Sequence, residues 1–349
     1  MGGINFMNFK ALLNTISNSS YTLPLVVLYV TEGCNLSCMT CSYRSPGPDE
    51  LSLDEIGDLA GLLSKYGLRH IVYSGGEPLF RRDFPEIVSV FSAYAVKQSL
   101  LTNGLLLEKR LDEIVEPLSE IIVSVDGPSA PVHDSIRGAL SFDRIVSGIR
   151  KLLARTHRPR VSIRAVLQKR NFRSLVEHVD FAADIGVDRI SFLAPDTTSM
   201  AFGRSAADPG QPNSEILLSR AEATEFLDLV NTLVSTHEHL FRSGFISDSP
   251  QRMRHIARYF EARAYGSPLP VNLCNAPMVS AVITATGDIL PCYFLPSFGN
   301  VRGGDLTAML NNAKISETRS AVRKYALNRC KTCVCTLHIN PLSALMDRF

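Results

Sequence analysis

The stretch Leu25-Val-Val-Leu-Tyr-Val-Thr-Glu-Gly-Cys34-Asn-Leu-Ser-Cys38-Met-Thr-Cys41 joins a β-branched apolar run to three closely spaced cysteines. The run Leu25–Val30 is almost continuously apolar, as suits a parallel strand buried on both faces. Cys34-x3-Cys38-x2-Cys41 then falls in the loop directly after that strand. Working outward, the same kind of run recurs at Ile71–Ser74, Ser99–Thr102, Ile121–Val125, Val161–Leu167 and Ile190–Leu193.

Helical patterns lie between these runs. Ile56, Leu59, Ala60 and Leu63 recur at helical spacing behind a Ser52–Glu55 capping box. Further helices are expected over Phe84–Tyr94, Glu108–Leu118, Phe142–Ala154 and Arg173–Ile185. Six strand–helix units with right-handed crossovers build a parallel layer, too few to close an eight-stranded barrel. The expected fold is therefore α/β, a partial (β/α)6 TIM-like barrel whose chemistry collects at the C-terminal ends of the strands. A turn-rich break at 203–214 and helices over Ser219–His237 and Pro250–Ala264 follow. Val279–Thr284 and Ile289–Pro291 flank Thr286-Gly287-Asp288, a hairpin signal. The expected division is an N-terminal extension (1–23), a core domain (24–240), and linker helices with a small Cys-rich hairpin and helix domain (241–349).

Composition excludes several classes of function. The 349 residues carry 36 basic and 34 acidic side chains, a formal charge of +2, which argues against a nucleic-acid partner. No apolar run is long enough for a membrane span, and the first 20 residues lack the pattern of a signal peptide. A cytoplasmic location is expected. There disulfides rarely persist, so eight cysteines point to metal or redox chemistry. Three lie within 34–41, none between 42 and 273, and five within 274–335, which implies two separate sites.

Three thiolates can hold three irons of a [4Fe–4S] cluster and leave the fourth iron open to a chelating ligand. A structural zinc would want a fourth protein ligand, and the nearest histidine is His70. Polar groups end the next strands too. Gly75 and Gly76 let backbone approach a ligand closely, and the carboxylate of Glu77, before Pro78, is placed to accept from an ammonium. Thr102-Asn103-Gly104 ends the third strand, and Ser124-Val125-Asp126-Gly127 the fourth. Taken together they predict one shared pocket. Pro195–Ser199 and Arg204, beyond strand six, and Arg164 and Gln168, near strand five, are candidates for its substrate side.

Cys-x3-Cys-x2-Cys after strand one, with Gly75-Gly76-Glu77-Pro78 after strand two, resembles the radical S-adenosylmethionine (SAM) superfamily. The resemblance implies that SAM chelates the open iron and is cleaved to a 5′-deoxyadenosyl radical, which abstracts a substrate hydrogen. It also implies that Gly75–Pro78 meet the methionine amino group, and that Asn103, Ser124 and Asp126 lie at the SAM site. His133-x3-Arg137 resembles the element whose arginine meets the SAM carboxylate. An external one-electron donor, such as flavodoxin or ferredoxin, is implied as partner. One departure is Thr40, where the superfamily often has an aromatic residue; Tyr43 is the nearby substitute.

Cys274-x12-Gly287-x4-Cys292 with Cys330-x2-Cys333 supplies four thiolates, enough for zinc or for a [4Fe–4S] cluster. The pattern resembles the SPASM/twitch domain, in the shorter twitch form with one auxiliary cluster on Cys274, Cys292, Cys330 and Cys333. Cys335 is left over, as a spare thiol, an alternative ligand, an exchange partner for Cys333, or a catalytic hydrogen-atom donor. A saturated auxiliary cluster can take the electron left after hydrogen-atom and proton loss. The expected reaction is oxidation or epimerisation of a small molecule such as a sugar or aminocyclitol. Maturation of a ribosomally made peptide is the alternative, disfavoured by the short segment before strand one and the incomplete cysteine series. A non-catalytic iron–sulfur or zinc protein is the third reading.

Overall fold

The computed structural model describes residues 6–114, 116–138, 140–204, 213–335 and 337. Six parallel strands form a partial barrel: β1 (Leu25–Thr31), β2 (His70–Gly75), β3 (Lys97–Thr102), β4 (Glu120–Ser124), β5 (Arg160–Val166) and β6 (Arg189–Leu193). Consecutive strands are neighbours throughout. Helices α1 (Phe6–Ile16), α2 (Leu53–Lys65), α3 (Phe84–Ser92), α4 (Leu107–Ile114), α5 (Ala130–Arg137), α6 (Phe142–Leu153) and α7 (Leu175–Ile185) precede or connect the strands. The expected capping box starts α2: Glu55 N–H donates to Ser52 Oγ at 3.2 Å, and Ser52 N–H to Glu55 Oε2 at 2.9 Å. Ile56, Leu59, Ala60 and Leu63 face the core, as their spacing requires.

Alternation divides each strand between two faces. Val26, Leu28 and Val30 join the large core under the helices, whereas Val27 and Tyr29 join a small cluster with Val282, Ala285 and Tyr293 inside the barrel. The hairpin was foreseen, as β7 (Ser280–Ile283) and β8 (Asp288–Leu290). Its placement was not. β7 pairs in parallel with β1, Leu25 opposite Ser280, so the sheet runs unbroken through β8 to β9 (Gly299–Asn300). The expected boundary at 240/241 is thus no break in the sheet, because the apolar β7 completes the open side of β1.

Helices α1 and α5 were not foreseen. The Asn14 side chain, in the last turn of α1, donates to Thr22 O and Met278 O at 2.6 and 2.8 Å. The buried Arg319 donates to Pro277 O and Leu310 O, both at 2.8 Å, which satisfies its charge with carbonyl dipoles. Most of the turn-rich break lies outside the described residues. Among those described, no helix is long and apolar enough to cross a membrane.

Candidate functional site

The loop after β1 is tied down on three sides. Cys34 N–H donates to Arg44 O at 3.0 Å, Met39 N–H to Ile136 O at 3.0 Å, and Ser42 N–H to Phe202 O at 2.9 Å. Cys34 Sγ receives the Asn103 side-chain amide at 3.8 Å. Burial pushes the Cys38 thiol up to about 11, opposed by the nearby Arg137 guanidinium; Cys41 and Cys34 then raise it further. Half-buried cysteines whose thiolates would repel one another, beside Arg137, Arg44 and Arg204, suit a metal that ionises them.

The strand-end residues gather around this loop with a division of labour that sequence did not reveal. The Gly75-Gly76 backbone passes directly behind the cysteine loop: Gly76 N–H donates to Thr31 O at 2.7 Å and Glu77 N–H to Gly33 O at 2.8 Å. Glu77 was expected to accept from an ammonium. Its fully buried carboxylate instead accepts from Leu79 N–H (3.0 Å), Thr102 Oγ1–H (2.7 Å) and Asn103 N–H (2.6 Å). It locks the β2 and β3 loops together, with three donors on its roughly four lone-pair sites. Pro78 begins a single 3-10 turn that Glu77 caps.

Asp126 is also turned inward. Its Oδ1 accepts from Val166 N–H at 2.7 Å and its Oδ2 from Arg137 Nε at 2.6 Å. The terminal nitrogens of Arg137 make no hydrogen bond among the described residues, and neither does the half-buried Ser124 hydroxyl. Both remain open to a ligand. His133, on α5 with Arg137, accepts from Asp126 N–H at Nδ1, 3.2 Å away. Asn171, which no sequence signal marked, donates to Asp126 O and Val166 O, both at 2.9 Å. The Gln168 side chain is buried with no partner among the described residues.

At the other end of the chain, Cys274, Cys292, Cys330, Cys333 and Cys335 all line one cavity of about 220 Å³. Its remaining walls include Pro277, Tyr293, Phe294, Leu295 and Arg329. Burial pushes Cys274 up to about 11 and Cys292 up to about 12. A mononuclear zinc needs its ligands about 2.3 Å from one point. Among the described residues no three Cys, His, Asp or Glu side chains converge in that way. Five thiols on one cavity supply enough donors for either zinc or a [4Fe–4S] cluster. Cys335, which the sequence left over, lines the same cavity.

The segment after β6 lies between the two sites. Asp196, read as part of an open mouth, is buried and accepts from both Arg204 and Arg329. Desolvation alone would raise its pKa, but the Ser199 hydrogen bond and the Arg329 and Arg204 charges outweigh it and hold the carboxyl below its usual value. Farther along, Phe202 O faces Cys41 Sγ at 3.6 Å.

Comparison with known proteins agrees with this layout. The radical SAM superfamily pattern matches residues 28–182, and the SPASM iron–sulfur cluster-binding domain matches 274–334. The chain belongs to the radical SAM superfamily. This radical SAM enzyme is 26% identical over 303 residues to an AdoMet-dependent heme synthase of Methanosarcina barkeri, covering 83% of each chain. It is 28% identical over 276 residues to a mycofactocin maturase of Mycobacterium tuberculosis, covering 76% of this chain and 63% of the maturase. Streptococcus suis SuiB bound to the precursor peptide SuiA shares the fold, with a TM-score of 0.61 at 18% identity. That likeness spans 94% of this chain and 74% of SuiB. The structure of anSMEcpe with AdoMet and a peptide gives the same score at 17% identity, over 93% and 95% of the two chains.

Proposed function

We propose that this radical SAM enzyme oxidatively modifies a peptide, using one [4Fe–4S] cluster on Cys34, Cys38 and Cys41 and an auxiliary cluster in the C-terminal cavity. The observation that carries the reading is the extended similarity to the mycofactocin maturase. It spans most of this chain, and a SPASM match accompanies it. The sugar-like substrate expected from the sequence rested partly on an incomplete cysteine series, and that match weakens the ground. The heme synthase similarity, over 83% of each chain, favours a second reading in which the substrate is a heme precursor.

When bound, the cluster and SAM supply the radical that takes a hydrogen atom from the substrate. The protein's own part is to position and shield. Arg137, oriented by Asp126, offers its terminal nitrogens to the SAM carboxylate in a fixed fork. Ser124 offers a hydroxyl beside it. Gly75, Gly76 and Pro78 bring backbone close to the amino group, with Glu77 holding that loop to Asn103. In the C-terminal cavity Cys274, Cys292, Cys330 and Cys333 serve as ligands, Cys335 being the alternative. A cluster held there would supply an acceptor for the electron left on the substrate, and a flavodoxin or ferredoxin would supply the electron for SAM cleavage.

The test is anaerobic incubation of the reconstituted enzyme with SAM, dithionite and candidate precursor peptides, following 5′-deoxyadenosine and peptide mass together. Peptide-dependent 5′-deoxyadenosine with loss of two hydrogens is the expected result. If every peptide leaves 5′-deoxyadenosine at its uncoupled level while a heme precursor raises it, the peptide reading is wrong.

A further inference from the structure

Strand alternation turns Arg164 of β5 toward the barrel interior, between the outward-facing, fully buried Ile163 and Ala165. It stands opposite Ser124 in the β4–β5 register and opposite Ser191 in the β5–β6 register. Two residues farther on, Val166 N–H binds Asp126, the carboxylate that orients Arg137. Arg164 thus lies within the interior, beside the proposed SAM site.

Its bonding sets it apart from the arginines around it. Arg137 is paired with Asp126, and Arg204 and Arg329 share Asp196. Arg164 donates through Nε to Ser191 Oγ at 3.3 Å. Its terminal nitrogens meet no acceptor, and it forms no ion pair, among the described residues. The carboxylate in its field is Asp248, which turns away to accept from Phe192 N–H at 2.7 Å. Arg252 also faces Asp248 and spends a terminal nitrogen on Val334 O at 3.1 Å. Two guanidiniums therefore share Asp248, and Arg252 also faces Cys333 and Cys335.

The opposite wall is aromatic. Tyr29 lies 6.2 Å from Tyr43 and 6.4 Å from Tyr293, and Tyr293 stacks at 6.4 Å on Phe202. None of the three phenol hydroxyls makes a hydrogen bond among the described residues. Tyr293 lies within the electrostatic reach of both Cys335 and Arg164, so this wall runs from Arg164 toward the auxiliary cavity.

We propose that Arg164 anchors a carboxylate of the substrate, whose aromatic or apolar part rests on the rings of Tyr29, Tyr293 and Phe202. The proposal rests on the reading that the substrate enters this barrel. The outer edge of a guanidinium matches the two oxygens of a carboxylate, and neighbouring phenols can donate to the same group. A phosphate dianion fits less well: it would bring a second negative charge toward Asp248. In a peptide the carboxylate comes from the C-terminus or from an acidic side chain.

The test compares 3-phenylpropionate with 3-phenylpropionamide, by calorimetric titration of the reconstituted, SAM-bound enzyme and its Arg164→Gln and Arg164→Lys variants. Wild type should prefer the acid roughly tenfold, the scale of one charge-assisted hydrogen bond. Arg164→Gln should lose the preference and Arg164→Lys keep part of it. Equal affinity of wild type for acid and amide, or an undiminished preference in Arg164→Gln, overturns the proposal. So does a weakened SAM dissociation constant in Arg164→Gln, which would assign the residue to SAM. Because this pair is not peptidic, its result stands apart from that of the peptide reading. N-acetyl-alanyl-alanyl-phenylalanine, its C-terminal amide, and an amidated peptide with an internal glutamate then separate the two sources. Arg164-dependent binding of either acid identifies its source, and Arg164-independent binding of both counts against the anchor.

Discussion

Asp196 Oδ1 accepts a hydrogen bond from Arg329 Nη2 at 2.5 Å, tying the end of β6 to the residue just before Cys330. The same carboxylate holds Arg204, and the segment between them brings Phe202 O to Cys41. One short stretch of chain therefore touches both the cysteine loop and, through Arg329, the wall of the cysteine cavity. Replacing Asp196 by Asn leaves two arginines without a countercharge in a buried place, at a cost of about 3–5 kcal/mol. Urea unfolding of the apoprotein should show that loss, and reconstituted iron should fall at both sites. Unchanged stability would mean that the network is solvated.

Separate cluster sites predict separable losses. Replacing Cys34, Cys38 and Cys41 by Ala should leave about four irons per chain and abolish SAM cleavage. The Cys274, Cys292 double replacement should keep uncoupled cleavage but block substrate turnover. Iron and zinc measured on the same samples decide it: iron content unchanged in the double variant would rule out the auxiliary site.

Gly76 is a position where a methyl group has no room. A Cβ there would lie 2.2 Å from Gly33 O and 2.6 Å from Glu32 O, both backbone atoms. Gly76→Ala should therefore distort the cysteine loop and reduce loading of the first cluster. Gly57, in the middle of α2 with nothing within 4 Å of its Cβ position, is the control. Gly57→Ala should load normally and gain about 0.5–1 kcal/mol. Equal loading of both variants would count against the tight apposition of the two loops.

Arg137 works as a bridge, with Nε on Asp126 and the terminal nitrogens free for a ligand. A lysine retains the charge but cannot keep both engagements. Arg137→Lys should weaken SAM binding by equilibrium dialysis while the cluster still loads. SAM affinity equal to wild type would remove Arg137 from the SAM site.

Two buried histidines predict a stability loss in mild acid. Burial lowers His70 to about 4, with Lys97 adding to the shift and Glu120 opposing it. Burial likewise lowers His178 to about 4. Between the ordinary histidine value and about 4, the unfolded chain binds more protons than the folded one. Stability is complete above about pH 6.5 and falls as pH drops, by up to about 1.4 kcal/mol per unit for each histidine. Denaturation midpoints followed across that range should flatten in His178→Asn and His70→Gln. An unaltered slope would mean that neither ring is buried in its neutral form.

Much of the fold was legible because its signals are local. Apolar runs mark β1–β6, Ser52 and Glu55 mark the start of α2, and cysteine spacing marks both cluster sites. Helix α5 carries no long apolar periodicity, and Pro131 in its first turn is its one local start signal. The roles of Glu77 and Asp126 were hidden for another reason. A carboxylate at a strand end is available to a ligand only if no protein donor reaches it first, and donors to these two include Thr102 and Asn103 of the third strand's end, Arg137 of α5 and Val166 of β5.

The sequence by itself determined the parallel core, the two cysteine sites and the superfamily, since periodicity and spacing act within a few turns of chain. Only the tertiary structure decided that β7 completes the sheet beside β1, that Cys335 lines the C-terminal cavity, and that Asp196 reaches 133 positions along the chain to Arg329. It also decided that Arg164 enters the barrel without a carboxylate partner among the described residues. Which charges are neutralised and which remain for a substrate is settled by packing between distant segments, and no local pattern encodes that outcome.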